Sequence, residues 1–132
     1  MGAVVLDSSL LLGLLDSSDA HHAGALESLA AAAEAGEEII LPASVLAEVL
    51  VGAARQGPSV RDNVERRLLA SVDRLHPVDR DVAVHAAGVR AAHRAVRLPD
   101  ALVIATGRAL GAAVLTADKA LAKVDARVRV VG

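Results

Sequence analysis

The chain has 132 residues and is 54% hydrophobic, with 14 Lys+Arg against 16 Asp+Glu and a formal charge of −2. That fits one domain of about the usual 100–200 residues with a sizeable core, and it excludes a basic nucleic-acid coat protein and an acidic tail. There is no Cys, so disulfides, thiolate metal sites and Cys nucleophiles are excluded; the absence of Phe, Tyr and Trp makes a core of Leu, Val, Ile and Ala and removes the aromatic platforms on which single strands stack.

The elements are read in chain order. Ala3–Leu6 is a first strand ending at Asp7, and Ser8–Leu15 a short helix with a stripe of Leu10, Leu11, Leu14 and Leu15. Asp19 is placed as the N-cap of an Ala-rich helix running to Ala35, stopped by Gly36. Glu38–Leu41 is a second strand closed by Pro42. Ser44 then caps a helix to Arg55, and Ser59–Arg74 forms another. A short extended piece, Leu75–Val78, precedes a helix from Asp79 to Arg97. Pro99 opens the next helix and Gly111 ends it, the expected asymmetry of Pro at the start and Gly past the end. Ala112–Thr116 is a buried strand, Asp118–Lys123 a helical turn, and the alternating Arg127–Val131 a strand at a sheet edge. Strands alternating with helices predict one α/β domain over residues 1–132, a parallel sheet with helices on both faces. No apolar run reaches the roughly 18 residues of a membrane span and no basic flank marks a secretory signal, so a soluble cytoplasmic domain is expected.

Ligands of open α/β sheets sit beyond the carboxyl ends of the strands. Asp7 follows its strand directly, Asp118 lies two residues beyond another, Asp100 lies in the first turn of an apolar helix, and Glu48 lies off the apolar arc of Val45, Leu46, Val49, Leu50 and Ala53. Singly, each acid has an ordinary reading: Asp7 and Asp118 as N-caps, Asp100 as complement to a helix N-terminus, Glu48 as a solvated face. The two acids at strand ends and the one at a helix start should converge on one sheet edge, while periodicity does not say whether Glu48 faces a cleft or open water. Carboxylates at about 5 Å repel by roughly 3 kcal/mol per pair at an effective dielectric of about 20, so the cluster requires protons or cations. Oxygen donors without soft ligands select Mg²⁺ or Mn²⁺, which activate water and polarise phosphoryl oxygens. Metal-assisted phosphodiester hydrolysis is the chemistry this predicts.

The segments VVLDSSLLLGLLD, LPASVLAEVLVGA and LPDALVIATGRALGAAVLTADKAL resemble, in order and spacing, PIN-domain proteins, in particular VapC-type toxins of bacterial toxin–antitoxin pairs. The resemblance implies a three-layer α/β/α domain and an endoribonuclease leaving 5′-phosphate and 3′-hydroxyl ends. It makes Asp7, Glu48, Asp100 and Asp118 both catalytic and ligands of Mg²⁺ or Mn²⁺. Ser9 and Thr116 then match the hydroxyls that support the acids or a metal-bound water. It further implies an RNA substrate, a cognate antitoxin filling the acidic groove, and a homodimer. Leu121 departs from relatives, which often carry an aromatic there.

Arg90, Arg94 and Arg97 recur at i, i+4, i+7 and are read as one basic helix face for phosphate contact, or simply as a solvated one; Arg55, Arg61, Arg66 and Arg67 are weaker candidates. His21 and His22 read as exposed, and His85 and His93 lack zinc-site spacing. Setting the four acids aside leaves fourteen basic against twelve acidic residues, so RNA binding should be salt-sensitive. Two other function classes remain at this point. One is a phosphoryl-accepting domain, phosphatase- or receiver-like, with Asp7 as nucleophile; the other is a catalytically silent PIN-like module binding a basic peptide.

Overall fold

The computed structural model describes residues 2–131. Five strands form one all-parallel sheet: β1 (Ala3–Leu6), β2 (Glu38–Pro42), β3 (Arg74–His76), β4 (Ala113–Thr116) and β5 (Val128–Val130), in the order β3-β2-β1-β4-β5. Parallel neighbours need crossover connections, and helices supply them: α1 (Ser8–Leu15) and α2 (His22–Glu34), α3 (Ala43–Gln56) and α4 (Pro58–Ala70), α5 (Arg80–Ala92) and α6 (Leu98–Leu110). A 3-10 turn, Lys119–Lys123, joins β4 to β5.

β1 lies at the centre because it is apolar on both sides. Val4, Val5 and Leu6 are each 0% exposed, which only a strand covered on both faces can be. Val5 pairs with Ile40 of β2 and with Val114 of β4. The three-layer α/β/α arrangement follows. One core cluster joins the sheet to Leu10, Leu11, Ala25, Val45 and Leu68, and a second joins Val82, Ala86 and Val89 of α5 to Ala101, Ile104 and Ala105 of α6. The edge strands are three residues each and carry Arg74 and Arg129, paired with Glu38 and Glu37 at 2.9 and 3.2 Å; short charged edges resist further strand pairing.

The chain runs β1, β2, β3 outward to one side and then returns to place β4 against the other side of β1. The order therefore reverses between β1 and β4, and a crevice opens there at the carboxyl ends of both strands. Two glycines let α6 reach β4. Gly111 ends the helix at φ 63°, the left-handed cap that favours glycine. At Gly107 a Cβ would lie 2.9 Å from Val114 Cγ2 and 3.0 Å from the carbonyl oxygen of Ala112, so helix and strand meet without room for a side chain.

Element boundaries depart from expectation where tertiary contacts outweigh local signals. α2 starts at His22 rather than at Asp19, whose carboxylate accepts the His21 amide at 2.8 Å in a turn ahead of the helix. α3 starts at Ala43, with Pro42 in the capping position, and Ser44 does not cap it. α4 stops at Ala70, four residues before Arg74, because Asp73 is drawn onto β2. Its amide donates to the Ile39 carbonyl and its carboxylate accepts the Ile39 amide, both at 2.8 Å. Gly107→Val is expected to destabilise the fold by roughly 1–3 kcal/mol through overpacking, read as a lowered urea midpoint in far-ultraviolet circular dichroism.

Candidate functional site

Asp7 stands immediately beyond β1, its amide extending the ladder to the Leu115 carbonyl at 3.0 Å. It occupies the capping position of α1, yet its side chain makes no cap bond there. The carboxylate, 3% exposed as a residue, turns instead to two hydroxyls. Thr116 Oγ1 donates to Asp7 Oδ2 at 2.6 Å and Ser9 Oγ donates to the same oxygen at 2.9 Å. The lone pairs of those hydroxyls are occupied in turn: Ser9 Oγ accepts the Ala117 amide and Thr116 Oγ1 the Asp118 amide, each at 3.0 Å. The two hydroxyls also lie 3.1 Å from each other, so they form one connected network around Asp7. The carboxylate is thus held rigidly through Oδ2, and Oδ1 accepts no bond from the described residues.

The other acids approach from different elements. Asp118 caps the 3-10 turn, accepting the Ala120 amide through Oδ1 at 2.9 Å. Asp100 is half-buried in the first turn of α6. Glu48 extends from the second turn of α3. Burial pushes the Asp100 carboxyl above its usual range, and the charges of Asp7 and Asp118 push it the same way. Glu48 is also raised, first by burial and then by Asp7 and Asp100. Arg97 opposes both shifts. These influences link the four acids at the crevice between β1 and β4, with Arg97 as their cationic neighbour. Asp7 therefore departs from its ordinary reading as a cap, Glu48 stays exposed while feeling the charges of Asp7 and Asp100, and Asp118 is a cap as well as a member of the group.

Among the described residues no three Asp, Glu or His side chains are already gathered in chelating positions. The donor chemistry nevertheless suits a hard divalent cation: every candidate is a carboxylate oxygen, Asp7 Oδ1 is free, and no soft ligand intrudes. A cleft of about 330 Å³ opens beside Asp100 and Asp118. A larger depression, about 700 Å³, lies around Glu37, Glu38 and Asp73 at the opposite edge of the sheet, away from these acids.

The family model for the PIN domain matches residues 4–127. The chain belongs to the PIN-domain family. No curated protein sequence matches it, but solved structures do. A toxin–antitoxin complex from Klebsiella pneumoniae is 20% identical, with 96% of each chain covered and a TM-score of 0.75. VapC20 of Mycobacterium tuberculosis, described as a sarcin-ricin loop cleaving toxin, is 21% identical over 92% of this chain and 94% of its own, with a TM-score of 0.70. DNA-bound VapBC from Salmonella typhimurium is 16% identical over 98% and 97%, with a TM-score of 0.78.

In this PIN domain the arginine triplet does not form the expected single helix face. α5 ends at Ala92, and residues 93–97 turn the chain so that α6 can pack against α5. Arg90 Nε donates to the Val96 carbonyl at 3.0 Å and serves that turn. Arg94 lines the cleft beside the acids, and Arg97 occupies the capping position of α6. The helical spacing of the three suggested one face because no Gly or Pro marks the break. His22 is likewise more engaged than expected, its Nδ1 lying 2.8 Å from the Gly13 carbonyl and tying α2 to α1. Ser44 Oγ is buried without a hydrogen-bond partner among the described residues.

The raised carboxyls carry a sign. A group whose folded value exceeds its unfolded one binds more protons in the native state, so stability falls as pH rises through that interval. In EDTA the wild-type protein is expected to lose stability as pH rises from the ordinary carboxylate range through the raised values of Asp100 and Glu48. Asp100→Asn is expected to show a flatter profile and greater stability at neutral pH, read by thermal denaturation across pH.

Proposed function

We propose that this PIN domain is a divalent-metal-dependent endoribonuclease and the toxin of a toxin–antitoxin pair. The observation that carries the reading is the clamped Asp7 at the switch point, with Asp100 and Glu48 raised first by burial and then each by two neighbouring carboxylates. Grouped acids whose charged forms are disfavoured cost stability that a bound cation would recover, and this supports the reading. Asp7, Glu48, Asp100 and Asp118 would hold Mg²⁺ or Mn²⁺. When bound, the ion supplies an activated water and charge stabilisation at a phosphodiester, giving 5′-phosphate and 3′-hydroxyl ends.

The chain's own residues do the positioning. Ser9 and Thr116 fix the orientation of Asp7 and leave Oδ1 for the ion, as outer hydrogen-bond partners of ligands do. Arg97 moderates the negative charge that would repel an approaching phosphate backbone. Arg94 lines the cleft beside Asp100 and Asp118, where contact with a phosphate would assist.

The toxin assignment draws on neighbours described as toxin–antitoxin assemblies and, in one case, as an RNA-loop-cleaving toxin. Beside the acidic groove that the resemblance assigns to the antitoxin, Leu26, 49% exposed, lines an apolar groove with Leu11, Leu14, Leu29 and Leu68 that would add contact surface for it. Val51, Val84 and Leu98 add exposed apolar surface on other helices for a second copy of the chain. Among the described residues no helix is long and apolar enough to cross a membrane.

Wild-type protein is expected to cleave structured RNA with Mg²⁺ or Mn²⁺ and to lose cleavage in EDTA. Asp7→Asn or Asp100→Asn should each remove several kcal/mol of transition-state stabilisation, at least about a hundredfold in rate. Undiminished cleavage in EDTA, or in both variants, contradicts the proposal. A stable acyl-phosphate on Asp7 after exposure to a phosphodonor would instead favour the phosphoryl-accepting class. Ser9→Ala is expected to cost about 10–100-fold in metal affinity or activity while the protein stays folded, measured by metal-dependence curves of the rate.

A further inference from the structure

The cleft beside Asp100 and Asp118 is not acidic throughout. Its walls come from the turn between α5 and α6 and from the 3-10 turn after β4: His93, Arg94 and Val96 on one side, Leu121, Lys123 and Val124 on the other. Leu121 is 3% exposed, and Val96 and Val124 are partly buried, so these three give a firm apolar wall. Arg94 and Lys123 are exposed at its mouth, and the half-buried His93 adds a planar ring. The volume of about 330 Å³ is at the lower end of the range for small-ligand sites. An apolar slot with a guanidinium and an imidazole at its rim, opening onto a hydrolytic site, suits a flat aromatic heterocycle attached to an anionic backbone.

We propose that this cleft is a nucleobase subsite, which takes up an unstacked base of the RNA adjoining the scissile phosphate. The inference rests on the nuclease reading and names how the substrate is held. RNA-binding proteins stack splayed bases on aromatic rings or on arginine planes. With no Phe, Tyr or Trp anywhere in the chain, Arg94 and His93 are the planar groups that this wall offers. The base lies against Val96, Leu121 and Val124, with Arg94 over its face, and Lys123 meets the neighbouring phosphate. The 93–97 turn thereby has a purpose that an uninterrupted α5 would not serve: it brings Arg94 off the helix and onto the cleft.

The test needs no turnover. Isotopically labelled protein is titrated with the four nucleoside 5′-monophosphates and with ribose 5-phosphate, each with Mg²⁺ and again in EDTA, and amide chemical shifts are followed. At least one nucleotide is expected to shift the amides of residues 93–97 and 120–124. Ribose 5-phosphate and the Arg94→Ala variant should each bind roughly tenfold more weakly, the loss that a single stacking contact implies. Nucleotides that shift none of these amides in either condition, or ribose 5-phosphate binding as tightly as its nucleotides, overturn the subsite. An inactive enzyme that still binds nucleotides here retires the nuclease reading alone; an active enzyme without this binding retires the subsite alone.

Discussion

Negative charge gathered at the carboxyl edge of a parallel sheet is the constraint on which the rest of this molecule turns. Asp7 lies at the end of the most deeply buried strand, and two hydroxyls hold it there. Asp100 and Glu48, on two separate helices, are both raised by burial and by neighbouring carboxylates. Like charges held together are costly, since each pair at short range works against a total stability of only about 5–15 kcal/mol. The fold tolerates them because the sheet, its two helical layers and the close α6–β4 contact at Gly107 hold the participating segments from outside the site.

The division of labour between scaffold and site is visible in the hydroxyls. Thr116 is the last residue of β4 and is buried, so its χ1 and its hydrogen are set by packing. It receives the Asp118 amide and donates to Asp7, and so couples the turn that carries one acid to the strand end that carries another. Ser9 repeats the pattern from α1 to Ala117. Two neighbouring strands at the switch point are thereby stitched by side chains exactly where backbone pairing gives out. The side chains that join the two strands are thus the same ones that orient the Asp7 carboxylate.

Much of this was legible in the amino-acid order. Alternating short apolar runs and longer amphipathic stretches announced the α/β layers, and the acids one position after Leu6 and two after Thr116 pointed to the sheet edge at which these carboxylates lie. Positions governed by local chemistry came out well: α1 begins and ends where its leucine stripe does, Asp79 caps α5 through the Val82 amide, and Gly111 closes α6. Positions governed by partners distant in sequence did not. Asp73 ends α4 early because its bonds go to Ile39, thirty-four positions away. The arginine triplet read as one face because i, i+4, i+7 spacing is silent about whether the helix continues. Whether Glu48 faced a cleft or open water was equally unreadable from periodicity, since both lie off the apolar arc. The cleft formed by the 93–97 and 119–123 turns has no local signature, as it exists only once β4 has been laid beside β1.

The most direct measurement of the central claim is the thermal midpoint of the protein with increasing Mg²⁺ or Mn²⁺, in wild type and in Asp7→Asn, at neutral pH. A ligand that binds only the native state raises stability in proportion to the logarithm of its concentration over its dissociation constant. Crowded carboxylates that seat a cation predict a midpoint that climbs with metal in wild type and stays flat in the variant. A midpoint indifferent to both ions in wild type, or one that climbs equally without the Asp7 carboxylate, would contradict the account.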